Sequence, residues 1–127
     1  MAHILLAEDD GSMCKFLEMA LKRAGHMVTA KNNGLEALAV LSDSKTMAKE
    51  PPYELLLTDI VMPGMDGIEL ASRATKICPE LKVMFITGFA AVAIGQQASD
   101  KNETKILSKP FHLNELVSQV NMLLQAA

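Results

Sequence analysis

The stretch Leu55-Leu56-Leu57-Thr58-Asp59, with Ile60-Val61-Met62-Pro63-Gly64-Met65-Asp66-Gly67 directly behind it, climbs through apolar residues to one acid and then turns on proline and glycine. Its apolar run reads as a strand buried on both faces, as in a parallel sheet. Asp59 then stands at the carboxyl end of that strand, the edge at which open α/β sheets bind ligands. Taken alone, the acid reads equally well as a helix cap or a turn residue. The rest of the chain decides between the two.

Upstream, Ile4 to Ala7 repeats the pattern and ends in Glu8-Asp9-Asp10. Gly11-Ser12 can cap the helix behind it, whose apolar stripe is Met13, Phe16, Leu17, Ala20, Leu21 and Ala24, with Gly25 as its stop. His26 to Ala30 is a second short strand, and Asn33-Gly34 leads to a helix carrying Leu35, Leu38, Ala39 and Leu41. Ser42 to Pro52 reads as a loop, with a frayed helical end as the alternative for its start, and is the longest connection in the chain. Tyr53 opens the third strand. Downstream, a helix begins near Asp66 and buries Ile68, Leu70 or Ala71, Ala74 and Ile77, with Pro79 after its end. Leu81 to Thr87 is a fourth strand, broken by Gly88. A weaker, alanine-rich helix covers roughly Phe89 to Ala98, and Ser99 to Glu103 is a polar turn. Lys105 to Ser108 is a fifth strand, followed by Lys109-Pro110-Phe111 and a last helix showing Leu113, Leu116, Val117, Val120, Leu123 and Leu124.

Five strand–helix units in strict alternation predict an α/β fold, a five-stranded parallel sheet with five helices on both faces. Right-handed crossovers leave few topologies, and the flavodoxin-like order 2-1-3-4-5 is the commonest for five units. In that order four separate segments converge on one crevice. They bring Glu8-Asp9, Asp59, Thr87 and Lys109, that is acid, acid, hydroxyl and ammonium.

The composition excludes several classes. Half of the 127 residues are hydrophobic, enough for one domain with a real core. The net charge of −3 and the lack of a basic run argue against binding nucleic acid by charge attraction. Nine methionines read as core filler. Cys14 and Cys78 lack CxxC spacing and read as reduced, structural residues of a cytoplasmic protein. His3, His26 and His112 show no ligand spacing and read as structural or solvent-facing. No signal peptide or apolar run of membrane-spanning length is present in the sequence.

Three carboxylates at one edge would crowd each other. At about 5 Å and an effective dielectric of about 20, each pair repels by roughly 3 kcal/mol. Either one carboxyl takes up a proton or a cation fills the gap. An all-oxygen site suits Mg²⁺, which also welcomes phosphate as a further ligand. Phosphoryl transfer needs little beyond positioning and charge stabilisation. Asp59 is then a nucleophile forming an acyl phosphate, Lys109 a point charge for a phosphoryl oxygen, and Thr87 a donor to another.

With these residues in hand, the chain resembles a response-regulator receiver domain over its full length. The resemblance rests on Glu8-Asp9 after Ile4-Leu5-Leu6-Ala7, on Asp59 in Leu-Leu-Leu-Thr-Asp, on Met62-Pro63-Gly64-Met65-Asp66-Gly67, on Thr87-Gly88, and on Lys109-Pro110-Phe111. It implies that Asp59 accepts a phosphoryl group from a phosphohistidine on a histidine kinase or histidine phosphotransfer protein. It implies that Glu8, Asp9, Asp59 and the backbone carbonyl of Val61 surround Mg²⁺, and that Thr87 and Lys109 read the phosphoryl group. Within the family the chain is similar to a stand-alone alphaproteobacterial regulator, which implies an adaptor for the AAA+ protease ClpXP in a cell-cycle phosphorelay. Receivers commonly carry Tyr or Phe three residues before the lysine. This chain has Ile106 there, and Phe89, two residues after Thr87, is the candidate substitute.

The leading expectation is therefore one receiver domain over residues 1–127 without an output domain, a phosphorylation switch read out by protein binding. The binding face is expected on the Phe89–Ala98 helix, the fifth strand and the last helix. A second reading is a phosphate shuttle or sink with no output partner. A third, an aspartyl phosphatase, wants an acid two residues after the nucleophile. Val61 stands there instead, so no enzyme is expected.

Overall fold

The computed structural model describes residues 2–47, 53–87, 104–108 and 113–125. Its elements run in the order β1 (His3–Ala7), α1 (Gly11–Arg23), β2 (Met27–Lys31), α2 (Gly34–Met47), β3 (Leu55–Asp59), α3 (Gly67–Ile77), β4 (Lys82–Thr87), β5 (Thr104–Ser108) and α4 (Leu113–Gln125). The five strands form one sheet in the order β2-β1-β3-β4-β5, every pairing parallel. The expected topology is therefore present. The expected Phe89–Ala98 helix lies outside the described residues.

The leucine run decides the core. Leu55, Leu56 and Leu57 are all fully buried because alternate side chains enter different layers. Leu55 and Leu57 join Ile4, Leu6, Leu17, Leu21, Leu116 and Val120 under α1 and α4. Leu56 joins Leu5, Ala37, Leu41, Leu70 and Ala74 under α2 and α3. A strand so enclosed cannot slip by one residue without exchanging its two layers, which fixes the position of Asp59.

The helix ends follow capping chemistry. The α1 N-cap is Asp10, whose carboxylate accepts from the Met13 N–H at 3.0 Å, in place of the expected Gly11-Ser12. At the other end Gly25 adopts φ +99°, and the amides of Gly25 and His26 donate back to the carbonyls of Lys22 and Leu21. Asp66 caps α3 by accepting from Glu69 N–H at 2.8 Å. The helix α2 runs on to Met47 through a segment expected as loop. Its serines, aspartate and lysine are polar without breaking a helix, and the first proline comes only at Pro51.

The helix faces are rotated from expectation at three places. Phe16 is 48% exposed while Cys14 is buried, Leu35 is 68% exposed while Ala37 is buried, and Ile68 is 41% exposed while Leu70 and Ala71 are buried. In each case a smaller residue or a neighbour completes the apolar stripe and the larger one is left outside. Cys14 and Cys78 are free thiols, and burial, with Glu18 and Glu8 nearby, pushes the Cys14 thiol up from its usual range.

Gly67 ties α3 to the end of β3. Its N–H donates to the Ile60 carbonyl at 2.8 Å, and a Cβ added there would meet the Asp59 carbonyl carbon at 2.9 Å and its oxygen closer still. Both obstacles are backbone, which cannot swing away. Gly67→Ala should lower unfolding free energy by about 2 kcal/mol or more, read from urea denaturation, through this overlap. A variant as stable as the parent would show that α3 can shift without consequence.

Candidate functional site

The carboxyl edge of the sheet is where the acids collect. Ala7 lies in register with Thr58, so the next residue of each strand, Glu8 and Asp59, emerges at the same level. Ligand oxygens of Glu8, Asp9 and Asp59 all lie within 4.8 Å of one another. Glu8 is 1% exposed and Asp59 is 8% exposed, whereas Asp9 faces solvent. The cluster thus has two acids set into the protein and one at its mouth.

Backbone amides aim these groups. The Val61 N–H donates to Asp59 Oδ1 at 3.3 Å, folding the chain after β3 back over its own acid. The Asp10 N–H donates to Glu8 Oε2 at 3.1 Å. The Thr58 hydroxyl donates to the Asp59 carbonyl at 2.9 Å and satisfies a buried polar side chain beside the site. At the end of β2, the Lys31 carbonyl accepts from the Glu8 N–H at 3.1 Å, and the Asn32 side chain donates to the Glu8 carbonyl at 3.4 Å. Asp10 and Asn32 were not singled out in the sequence. An acid three residues before Met13 was the available signal for Asp10, while nothing in the sequence alone marks Asn32.

The remaining candidates distribute as follows. Val61 follows Asp59 directly in space and is 55% exposed. Thr87 closes β4, one residue beyond Ile86, the register partner of Asp59, and itself pairs with Ser108. Ile106 lies within β5 opposite Phe85. Phe89 and Lys109 lie outside the described residues. Neither described histidine joins the acids: His3 packs on Tyr53 with ring centroids 4.0 Å apart and His26 bonds Asn121, while His112 lies outside the described residues.

Three carboxylates and no nitrogen or sulfur donor form an oxygen-only ligand set, which suits a hard divalent cation that keeps part of its water shell. A carboxylate at the centre of such a site is shielded from its neighbours and can approach an anionic group. The geometry therefore supports charge-neutralised chemistry at Asp59, and among the described residues the ligand cluster contains carboxylates alone.

The chain resembles known proteins over its full length. The chain is 54% identical over 127 residues to the response regulator receiver protein CpdR of Brucella abortus, covering 100% of both chains. It is 30% identical over 124 residues to the sensor kinase CckA of the same organism, covering 98% of this chain and 13% of that one. Among solved structures, a response regulator receiver protein from Sinorhizobium medicae superposes with a TM-score of 0.83 at 30% identity, over 98% of this chain and 95% of that one. Among the described residues no helix is long and apolar enough to cross a membrane. The family profile of the response regulator receiver domain matches residues 4–121, the span that contains the sheet and its acid edge, and the chain belongs to that family.

Proposed function

We propose that this receiver is a phosphorylation switch with Asp59 as its phosphoacceptor and phosphorylation-gated protein binding as its output. The observation that supports this most is the Glu8–Asp9–Asp59 trio at the carboxyl ends of the two central strands. A carboxylate oxygen of Asp59 attacks the phosphorus of a phosphohistidine on a kinase or phosphotransfer protein. The phosphorus–nitrogen bond breaks, and the imidazole leaves and takes up a proton. The Val61 N–H holds the attacking carboxylate, and burial at a strand end limits its rotamers. Glu8, Asp9, Asp59 and the Val61 carbonyl would hold Mg²⁺, whose part is to neutralise charge on the acids and on the arriving group. The Thr87 hydroxyl and the Lys109 ammonium would each take a phosphoryl oxygen.

Similarity end to end with a relative of equal length supports one receiver domain over residues 1–127 that acts through what it binds. The relatedness to a sensor kinase supports a phosphorelay as the input. The resemblance to stand-alone regulators favours an adaptor role toward a ClpXP-type protease as the output, and two free cysteines suit the reducing cytoplasm.

Acetyl phosphate with Mg²⁺, followed by intact-mass spectrometry, tests the acceptor. Asp59→Asn should lose the added phosphoryl mass entirely, and full labelling of that variant would reject the assignment. Asp9→Asn should bind Mg²⁺ at least about tenfold more weakly, a loss of about 1.4 kcal/mol. The metal-free fold should be as stable as the parent or more so, because one negative charge has left the cluster. Equal Mg²⁺ affinity would place the ion elsewhere.

The signal would pass from Thr87 through Gly88 to Phe89, because Ile106 has neither ring nor hydroxyl and its branched Cβ restricts it in a strand. Phe89→Ala should therefore diminish the phosphorylation-dependent change in partner binding more than Ile106→Val does, with Asp59 labelling retained in both. The reverse ranking, measured by pull-down of the phosphorylated and unphosphorylated forms, would move the signal to position 106. A form that captures only its phosphodonor in both states would be a phosphate sink.

A further inference from the structure

A groove of about 520 Å³ runs between α1 and α4, away from the carboxylate trio. Its α1 wall is small, with Ala20 and Ala24 one turn apart, and ends at Arg23. Its α4 wall carries Asn114, Ser118, Asn121 and Gln125, an uncharged polar row at spacings of four, three and four residues. Met122, 56% exposed, stands beside that row.

Two facts say what belongs there. Among the described residues, the side chains of Asn114, Ser118 and Gln125 have no hydrogen-bond partner, while Asn121 is held by His26 at 3.0 Å. Among the described residues, Arg23 is the one charged residue lining the groove and no carboxylate pairs with it, whereas Lys22 pairs with Glu18 and Arg73 with Glu69. The groove therefore offers amide and hydroxyl groups of α4 along an otherwise apolar lining of Ala20, Ala24, Val117 and Met122, with one guanidinium, that of Arg23, on its α1 side.

We propose that this groove binds an extended peptide segment bearing a carboxylate side chain. Amides both donate and accept, as a peptide backbone does. From Asn114 to Gln125 the helix rises about 16.5 Å, which is the length of about five residues of extended chain. A helical occupant has spent its backbone groups on its own hydrogen bonds and would gain nothing from the solvent-exposed amides and hydroxyl of the row. An extended one brings free N–H and C=O groups to it. The small wall of Ala20 and Ala24 lets that backbone come close, and Met122 adapts to an apolar side chain. The peptide's acid lies against Arg23, whose planar guanidinium takes a carboxylate bidentately. This site does not depend on the state of Asp59, and so stands or falls apart from the phosphorylation reading.

The test is a titration of the ¹⁵N-labelled full chain, followed by amide and side-chain shifts. One probe is a pool of capped heptapeptides alternating threonine with small apolar residues about a central aspartate; the other pool has lysine at the centre. The aspartate pool should shift the resonances of Arg23, Asn114, Ser118 and Gln125, and the lysine pool should not. Arg23→Gln should weaken the aspartate pool about tenfold, and the double variant Asn114→Ala with Ser118→Ala should weaken it as much while Arg23 is intact. Equal binding of both pools, shifts scattered away from the groove, or no shifts at millimolar peptide would overturn the proposal. So would shifts at the groove that grow with protein concentration alone, since these would assign it to a second copy of the chain.

Discussion

Mutual repulsion among three carboxylates is the constraint to which the rest of this structure answers. Ligand oxygens within 4.8 Å of each other repel by roughly 3 kcal/mol per pair at an effective dielectric of about 20, less where the exposed Asp9 is screened by solvent. Folding must bring these charges together and hold them. The leucines behind Asp59 set the scale of what does so: removing one buried leucine side chain from a packed core costs about 2–5 kcal/mol. Leu55, Leu56 and Leu57 are each fully buried, as are Ile4, Leu5 and Leu6 behind Glu8. Two such strands in register outweigh the repulsion at their tips, so the apolar run and the acid it ends on are parts of one device.

Strand burial fixes where the acids emerge, and backbone amides fix how they point. Asp10 shows the economy of the arrangement. Its N–H holds Glu8 Oε2 while its own carboxylate caps α1 through Met13. The helix begins where the acid loop ends, so a distortion of either would be felt by the other. After β3 the two tasks are divided, Val61 N–H holding Asp59 Oδ1 and Asp66 capping α3, and Gly67 closes that loop by approaching the Asp59 carbonyl too closely for any side chain.

Strand order and the meeting of Glu8, Asp9 and Asp59 were legible in the sequence because both follow from period and burial: apolar runs too short for helices, each ending in acid, alternating with helical stripes. The helix faces were less legible. Phe16, Leu35 and Ile68 are large and apolar, yet they lie outside, because a helix needs only part of its circumference buried and Cys14, Ala37 and Ala71 fill the core-facing places. The extent of α2 was hidden for a different reason. Polar residues at Ser42 to Lys45 resemble a loop in composition, but a solvated helix face has the same composition and only a breaker would tell them apart. Hydrogen bonds such as that of Asn32 to the Glu8 carbonyl depend on two distant segments meeting, which no local pattern encodes.

The two edges of the sheet are built on opposite principles, and this bears on how the domain can respond to a charge placed at one of them. The amino edge is laced. Tyr53 donates to the Thr29 hydroxyl at 3.0 Å, which lies 3.2 Å from His3 Nε2, so the opening of β1 and the approach to β3 are joined to the middle of β2. Ala2 N–H donates to His26 Nδ1, which leaves Nε2 carrying the proton it gives to Asn121 in α4. Lys82, at the start of β4, donates to the Leu123 carbonyl at 2.8 Å near the end of α4, a cation where the helix dipole is negative. The carboxyl edge instead concentrates like charges. A group that alters the charge there acts where Glu8, Asp9 and Asp59 meet, while the laced edge holds the strands and α4 in a common frame. A change of state needs a free-energy difference between two arrangements. Under the proposed function, a change of charge would act where the acids meet, at the ends of β1 and β3, while the hydrogen bonds of the amino edge hold the sheet as a common support.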